Sequence, residues 1–209
     1  MADQIAFEVF SEVLADLTSF ATRGGNVNAM PWSLTDIGDE NMQMLPVTLN
    51  KIANDIARKT RRGCGNFVVT TPIGVSLLQS NAKSTFVPAP KGDRGSSALM
   101  LMGTLNGTIK VYSSMCLTED MFLVGYKGGS GEVDTGYIYS PYVPVMPSGP
   151  VIDPNTFQPI MTMMTRYGKF VFQADDTAMA STEDYYGVLK PLRTALPPSA
   201  EVDQPQTPV

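Results

Sequence analysis

The chain has 209 residues, 43% of them hydrophobic and 17% charged, with a formal net charge of −5. That length suits one domain of moderate size or two small intertwined ones, and the acidic balance excludes a general nucleic-acid binder, which needs a clustered basic surface. Histidine is absent, which removes Ser-His-Asp and Cys-His nucleophile pairs and the commonest ligand of catalytic zinc.

Cys64 and Cys116 share no CxxC context and read as two buried thiols of a reducing compartment, with a disulfide left open. No run of about 18 apolar residues exists that could span a membrane as a helix. Asp3 stands where a signal peptide would carry basic residues, so the expectation is a soluble protein made in a cytoplasm.

In chain order, Asp3 to Phe20 is helical in pattern: Ile5, Val9, Val13, Leu17 and Phe20 recur at spacings of three and four, and Gly24-Gly25 stops the run. The stripe reads as core. Gly25 to Asp39 is a connector holding Trp32. A second helix lies within Asp39 to Arg62, with Leu49, Ile52, Ala53 and Ile56 on its apolar face. Pro46 either starts this helix or kinks a longer one from Asp39, and the longer version is preferred. Lys59, Arg61 and Arg62 crowd its last turn, with Gly63 as the residue that ends it.

Asn66 to Thr71 predicts a short strand, and Thr71-Pro72 a capped helix start running to Gln79. Asn81 to Ser97 reads as an exposed loop. Ala98 to Ser113 holds two strand runs joined at Asn106-Gly107, a strong hairpin signal. From Gly107 to Pro144 three strand runs alternate apolar and polar residues around Ile109, Val111, Phe122, Val124, Ile138 and Tyr142, the pattern of half-buried strands. Met146 to Pro159 reads as a loop, and Ile160 to Phe172 as a strand with a bend at Tyr167-Gly168. From Asp175 the acidic and proline-rich composition predicts an extended tail without a core of its own.

The candidate chemistry is weak. Gly128-Gly129-Ser130-Gly131 lacks the GxxxxGK[ST] order of a phosphate loop and reads as a hairpin turn. Asp175-Asp176 and Glu183-Asp184 could serve a metal, but no paired element fixes them, so solvation explains them better. The basic group Arg58, Lys59, Arg61 and Arg62 suits a helix dipole and salt bridges between subunits more than nucleic acid. Tyr126, Tyr137, Tyr139 and Tyr142 fit a stacking platform, a sheet or a subunit interface.

Four colinear segments point further: RKTRRGCGNFVVTTPIGVSLLQS (Arg58 to Ser80), GTIKVYSSMCLTEDMFLVGYKG (Gly107 to Gly128), DTGYIYSPYVPV (Asp134 to Val145) and NTFQPIMTMMTRYG (Asn155 to Gly168). In them the chain resembles the C-terminal part of the major capsid protein of contractile-tailed phages, a family with the HK97-like shell fold. The resemblance implies an α+β fold in which residues 1–65 are peripheral-domain helices including the end of the spine helix. Residues 66–160 would form an axial domain with a central mixed sheet, 161–174 a return strand to the peripheral domain, and 175–209 the proline-rich tail. The family's N-terminal arm and extended loop have no room before Asp39, so they read as missing, either because the sequence is a fragment or because the shell is built differently.

The function implied is that of a structural subunit of an icosahedral head enclosing double-stranded DNA, assembled in the host cytoplasm and residing in the virion capsid. Its partners would be copies of itself in hexamers and/or pentamers, with vertex, portal, scaffold and decoration proteins. It would meet packaged DNA without sequence-specific binding, use no cofactor and touch no membrane. Arg58, Lys59, Arg61, Arg62, Tyr126, Lys127, Gly128, Tyr142 and Arg166 are the subunit-interface candidates, and no residue is assigned to catalysis or metal binding. Two rivals are a β-rich fibre or adhesin-type binding module, suggested by the glycine turns and tyrosines, and a metal-assisted hydrolase using the Asp175 region.

Overall fold

The apolar stripe of the first segment winds into α1 (Ala2–Arg23), one turn longer than its periodicity predicts. Gly24 donates back to the Phe20 carbonyl at 2.9 Å, and Gly25 turns the chain away at φ +66. The computed structural model describes residues 2–30, 39–80, 86–90, 95–96, 99–117, 119–129, 134–172 and 180–191; Trp32, the second half of the glycine-rich turn, Asp175-Asp176 and the chain from 192 onward lie outside them. After α1 the chain enters a strand that its sequence did not announce, β1 (Val27–Met30).

The longer, proline-containing version of the second helix is the one formed: α2 (Asp39–Thr60) carries Pro46 in its interior. Leu45, Leu49, Ile52, Ala53 and Ile56 are buried along one face at helical spacing. Arg58 and Lys59 occupy its last turn, where cations complement the helix dipole. Arg61, rather than Gly63, takes the left-handed position at φ +53, its amide donating to the Ala57 carbonyl at 2.9 Å.

Strand β2 (Phe67–Thr70) and helix α3 (Pro72–Ser80) follow as expected. The Thr71 hydroxyl, however, donates to the Asp120 carboxylate at 2.7 Å instead of capping the helix. Three short strands come next: β3 (Phe86–Pro88), β4 (Gly95–Ser96) and β5 (Leu99–Leu105). The hairpin between β5 and β6 (Ile109–Ser114) turns through Asn106 and Gly107 at φ +53 and +72. Two consecutive left-handed residues are what a tight two-residue turn requires, and glycine supplies the second without a side-chain clash.

With β7 (Phe122–Gly125) and β12 (Tyr186–Pro191), these strands make one mixed sheet in the order β1-β12-β7-β2-β6-β5-β3, with β4 beside β5. β1 runs parallel to β12 and β2 parallel to β6, while the remaining neighbours are antiparallel. Both faces are covered. Val68, Phe122, Val124 and Leu189 pack with the buried residues of α2 and α3 in one cluster. Val69, Leu123 and Val188 turn the other way and pack with Leu14, Leu17 and Ala21 of α1. Successive strand residues point to opposite faces, so β7 is apolar at every position and is not the half-buried strand that alternation suggested.

The stretch read as a tail without a core is corrected for residues 181–191. A 3-10 turn (Thr182–Tyr185) leads into β12, which lies between β1 and β7 with Tyr186, Val188 and Leu189 buried. The proline-rich and acidic composition around it hides a short apolar run, which the sheet then buries on both sides. The same turn overturns the solvation reading of Asp184, whose carboxylate accepts from the Ser181 amide at 3.1 Å and closes a capping box.

Apart from the sheet stands a two-stranded antiparallel ribbon of β8 (Tyr137–Pro147) and β11 (Met163–Val171). It continues through Ser148 and Thr162 into β9 (Val151–Ile152) paired with β10 (Pro159–Ile160), so most of the predicted 146–159 loop is hairpin. The register shifts on both sides of Arg166, close to the predicted bend at Tyr167-Gly168.

Candidate functional site

The nine interface candidates fall into two places. Around the end of α2, Arg58 pairs with Asp55 at 3.6 Å, and Lys59 reaches Asp184 at 3.9 Å and the Asn26 side chain. Arg61 is exposed. Arg62 lies 3.6 Å from Asp134, which also accepts from the Tyr126 hydroxyl at 3.1 Å. Burial, and then that contact with the Asp134 carboxylate, push the Tyr126 hydroxyl pKa upward. Lys127 is fixed through its backbone, which exchanges hydrogen bonds with the Asn66 amide at 3.0 and 2.5 Å. The Gly128 amide donates to the Asp134 carbonyl at 2.9 Å, and a Cβ at Gly128 would fall 1.9 Å from the Asp134 carboxylate. These residues form a polar knot that joins α2, the β7 end and the turn before β8.

Tyr142 and Arg166 lie elsewhere, on the ribbon, and both are exposed. The ribbon is an arm of unusual chemistry. From Tyr137 to Phe172 its only charged residues are Asp153, Arg166 and Lys169. Tyr142, Met146, Val151, Ile152, Phe157 and Met161 are all more than half exposed. Contiguous exposed apolar surface poor in charge and rich in aromatic residues and methionine marks an interaction surface. An isolated two-stranded ribbon is also marginally stable in water, which gives this arm a reason to be covered.

Two devices attach the arm to the body. Thr182, 2% exposed, is the first. Its hydroxyl bonds the Gly136 and Phe172 carbonyls at 2.6 and 3.0 Å and accepts from the Phe172 amide at 2.7 Å, so one side chain ties both legs of the arm. The second is an ionic clasp with α1. Lys169 Nζ sits 2.5 Å from Glu12 and 2.7 Å from Asp16. The Tyr137 hydroxyl donates to Asp16 at 3.1 Å, and the Tyr167 hydroxyl donates to Glu12.

The titrations of Glu12, Lys169 and Tyr137 move in mutually supporting directions. The hydrogen bond from Lys169, then that from Tyr167, holds Glu12 below the ordinary carboxylate value. Partial burial pulls Lys169 down, but its hydrogen bonds to Asp16 and Glu12 outweigh this and leave it raised. Burial first, and then the Asp16 charge, push Tyr137 up to about 12. Glu12, Lys169 and Tyr137 therefore keep their pairing forms across the neutral range. The arrangement fixes the position of the arm against α1.

Sequence reasoning passed over the clasp because Glu12, Asp16 and Lys169 meet only in three dimensions, across more than 150 residues. A signal for the arm was present: a charge-poor run of this length is plain in the sequence. The expectation of two buried thiols fails for Cys64, which is exposed beside Asn54, while Cys116 is half-buried, and the two are not joined in a disulfide.

Comparison with known proteins accords with this structural character. The chain is 39% identical over 149 residues to the major capsid protein of Vibrio phage KVP40, covering 68% of this chain and 28% of that protein. It is 37% identical over 133 residues to the major capsid protein of Enterobacteria phage T4, covering 62% of this chain and 25% of that one. The major capsid protein of Salmonella phage ViI is 29% identical over 133 residues, covering 62% and 30%. The chain thus spans about a quarter to a third of the length of these relatives, whose names are those of structural proteins and not enzymes. The family described as Major capsid protein Gp23 matches residues 1–190, and the chain belongs to that family.

Proposed function

We propose that this chain is the shell-forming C-terminal part of a phage capsid subunit with the HK97-like fold. Copies of it associate in hexamers and/or pentamers and close into an icosahedral head around double-stranded DNA. In this reading residues 1–65 supply the peripheral helices, with α2 as the end of the spine helix. Residues 66–160 supply the axial domain, and β11 the return strand. Vertex, portal, scaffold and decoration proteins are its further partners, and assembly takes place in the host cytoplasm before the protein resides in the virion.

The observation that carries the reading is the family match over residues 1–190, and the charge-poor, apolar arm supports it. A subunit that buries surface against several neighbours can use contacts that are each weak while the closed shell is stable, since a standard interface buries roughly 1,600 Å² in total. The net charge of −5 suits an inner wall that does not bind packaged DNA tightly, because such binding depends on neutralising phosphates with basic side chains. Among the described residues no helix is long and apolar enough to cross a membrane.

The test is the assembly state of the purified protein, followed by light scattering and electron microscopy as concentration is raised. Rings or shells of uniform size are expected. A monodisperse monomer at every concentration, for a chain with its full N-terminus, would sink the proposal.

A further inference from the structure

Phe157, at the tip of the arm, adopts φ +56, a left-handed conformation that bulky side chains avoid, so its presence there asks for a functional reason. The turn that holds it is rigidly built. The Phe157 amide donates to the Asp153 carbonyl at 2.8 Å. The Asp153 carboxylate accepts from the Asn155 amide at 3.0 Å and from the Thr156 hydroxyl at 2.8 Å. This scaffold does not bury the ring. Phe157 is 81% exposed, beside Val151, Ile152 and Met161, which are also more than half exposed. A preorganised aromatic side chain standing clear of its own fold is the form an interface anchor takes, because little ordering remains to be done on binding.

The same molecule carries an apolar trough that the ring does not occupy. A cleft of about 380 Å³ between α1 and the arm is lined by Ile5, Val9 and Tyr139 with no charged residue. It adjoins, through Phe10 and Val13, a second hollow of about 610 Å³ floored by Phe67 and Leu99. The rim of that second hollow carries Lys110 and Lys127 and no carboxylate. Asp153 is the only charged residue from Tyr137 to Thr165. Apolar tip and apolar trough therefore bear opposite charges at their margins, and complementary charges of this kind set register between partners.

We infer that the Phe157 tip of one copy docks in the α1 trough of a second copy, with Asp153 facing Lys110 and Lys127. The inference rests on the self-assembly proposed above and names the two surfaces that meet. The contact is heterologous, one surface against a different one, so repetition builds a ring or a lattice rather than a closed pair.

The test uses the whole chain. Phe157→p-benzoylphenylalanine, mixed with an isotope-labelled copy and irradiated, is expected to give cross-links between copies on peptides containing Val9 to Leu17 or Thr108 to Tyr112. Phe157→Ser, whose side chain is outside the core, is expected to retain the wild-type melting profile and to weaken self-association about thirtyfold, as for loss of an anchor residue. Lys110→Glu with Lys127→Glu, which leaves the turn around Asp153 intact, should weaken it less than Phe157→Ser and should remove most of its salt dependence. Cross-links within one copy or elsewhere on the second, or a Phe157→Ser chain that assembles normally, would overturn the inference and leave self-assembly standing. A wild-type chain with its full N-terminus that never associates would overturn both.

Discussion

Phe122, Leu123 and Val124 in β7 are fully buried, whereas no residue of β8 or β11 reaches that state. The two regions are both β-structure, yet they are held by different physics. In the body, helices cover both faces of the sheet and burial of apolar area supplies the stability. In the arm, backbone pairing, the Thr182 hydroxyl and the Lys169 clasp do the holding, and most apolar side chains face water. The difference teaches which part is a finished fold and which is waiting for a partner. The central strand β7, buried on both sides, has no more area to gain from association, while the arm retains nearly all of its own.

The comparison breaks first at the centre of the body. Phe122→Ala removes the largest fully buried side chain and is expected to cost about 3–5 kcal/mol, read as a fall in the denaturant midpoint. The arm should follow the body down, because its legs are anchored there. An unchanged midpoint would contradict the two-faced core. Thr182→Val is the next largest change. It strands the Phe172 amide and the Gly136 carbonyl in a buried site, at a cost of about 1–3 kcal/mol. Amide exchange should rise at Gly136, Tyr137 and Phe172 before any change appears in β7, and simultaneous loss would mean that the arm has no separate attachment.

Much of the body was legible in the sequence because its signals are local. The stripe from Ile5 to Phe20 announced α1, the apolar repeat around Pro46 the longer α2, and Asn106-Gly107 the hairpin. Strand β12 was hidden for a physical reason. Its Tyr186 and Val188-Leu189 sit between an acidic turn and a proline-rich end, and only the flanking strands β1 and β7 make that brief run a core strand. The interface candidates were readable only as types of residue. Lys59 and Arg62 turn out to have carboxylate partners inside the chain, while the arm's most exposed aromatic ring, Phe157, lay in a segment that looked like an ordinary loop.

The smallest expected effect separates the clasp from the rest of the arm's support. Lys169→Met removes ion pairs whose members remain partly in water, so global stability should change by less than about 1 kcal/mol. Exchange along Tyr137 to Ser140 and Tyr167 to Val171 should nevertheless rise about threefold, since the arm opens without the body. Acid should reproduce this in the wild type. Glu12 is held below its ordinary value of 4.5, first by the Lys169 hydrogen bond and then by Tyr167. Its contribution is therefore complete above about pH 4.5 and is lost as pH falls through the lower folded value. Tyr137, pushed up to about 12, and the raised Lys169 stay protonated throughout. Arm exchange in the wild type should thus climb only on the acid side, and the Lys169→Met chain should be nearly flat over the same interval. Equal acid sensitivity in both chains would place the titrating group outside the clasp and leave Thr182 as the arm's main tether.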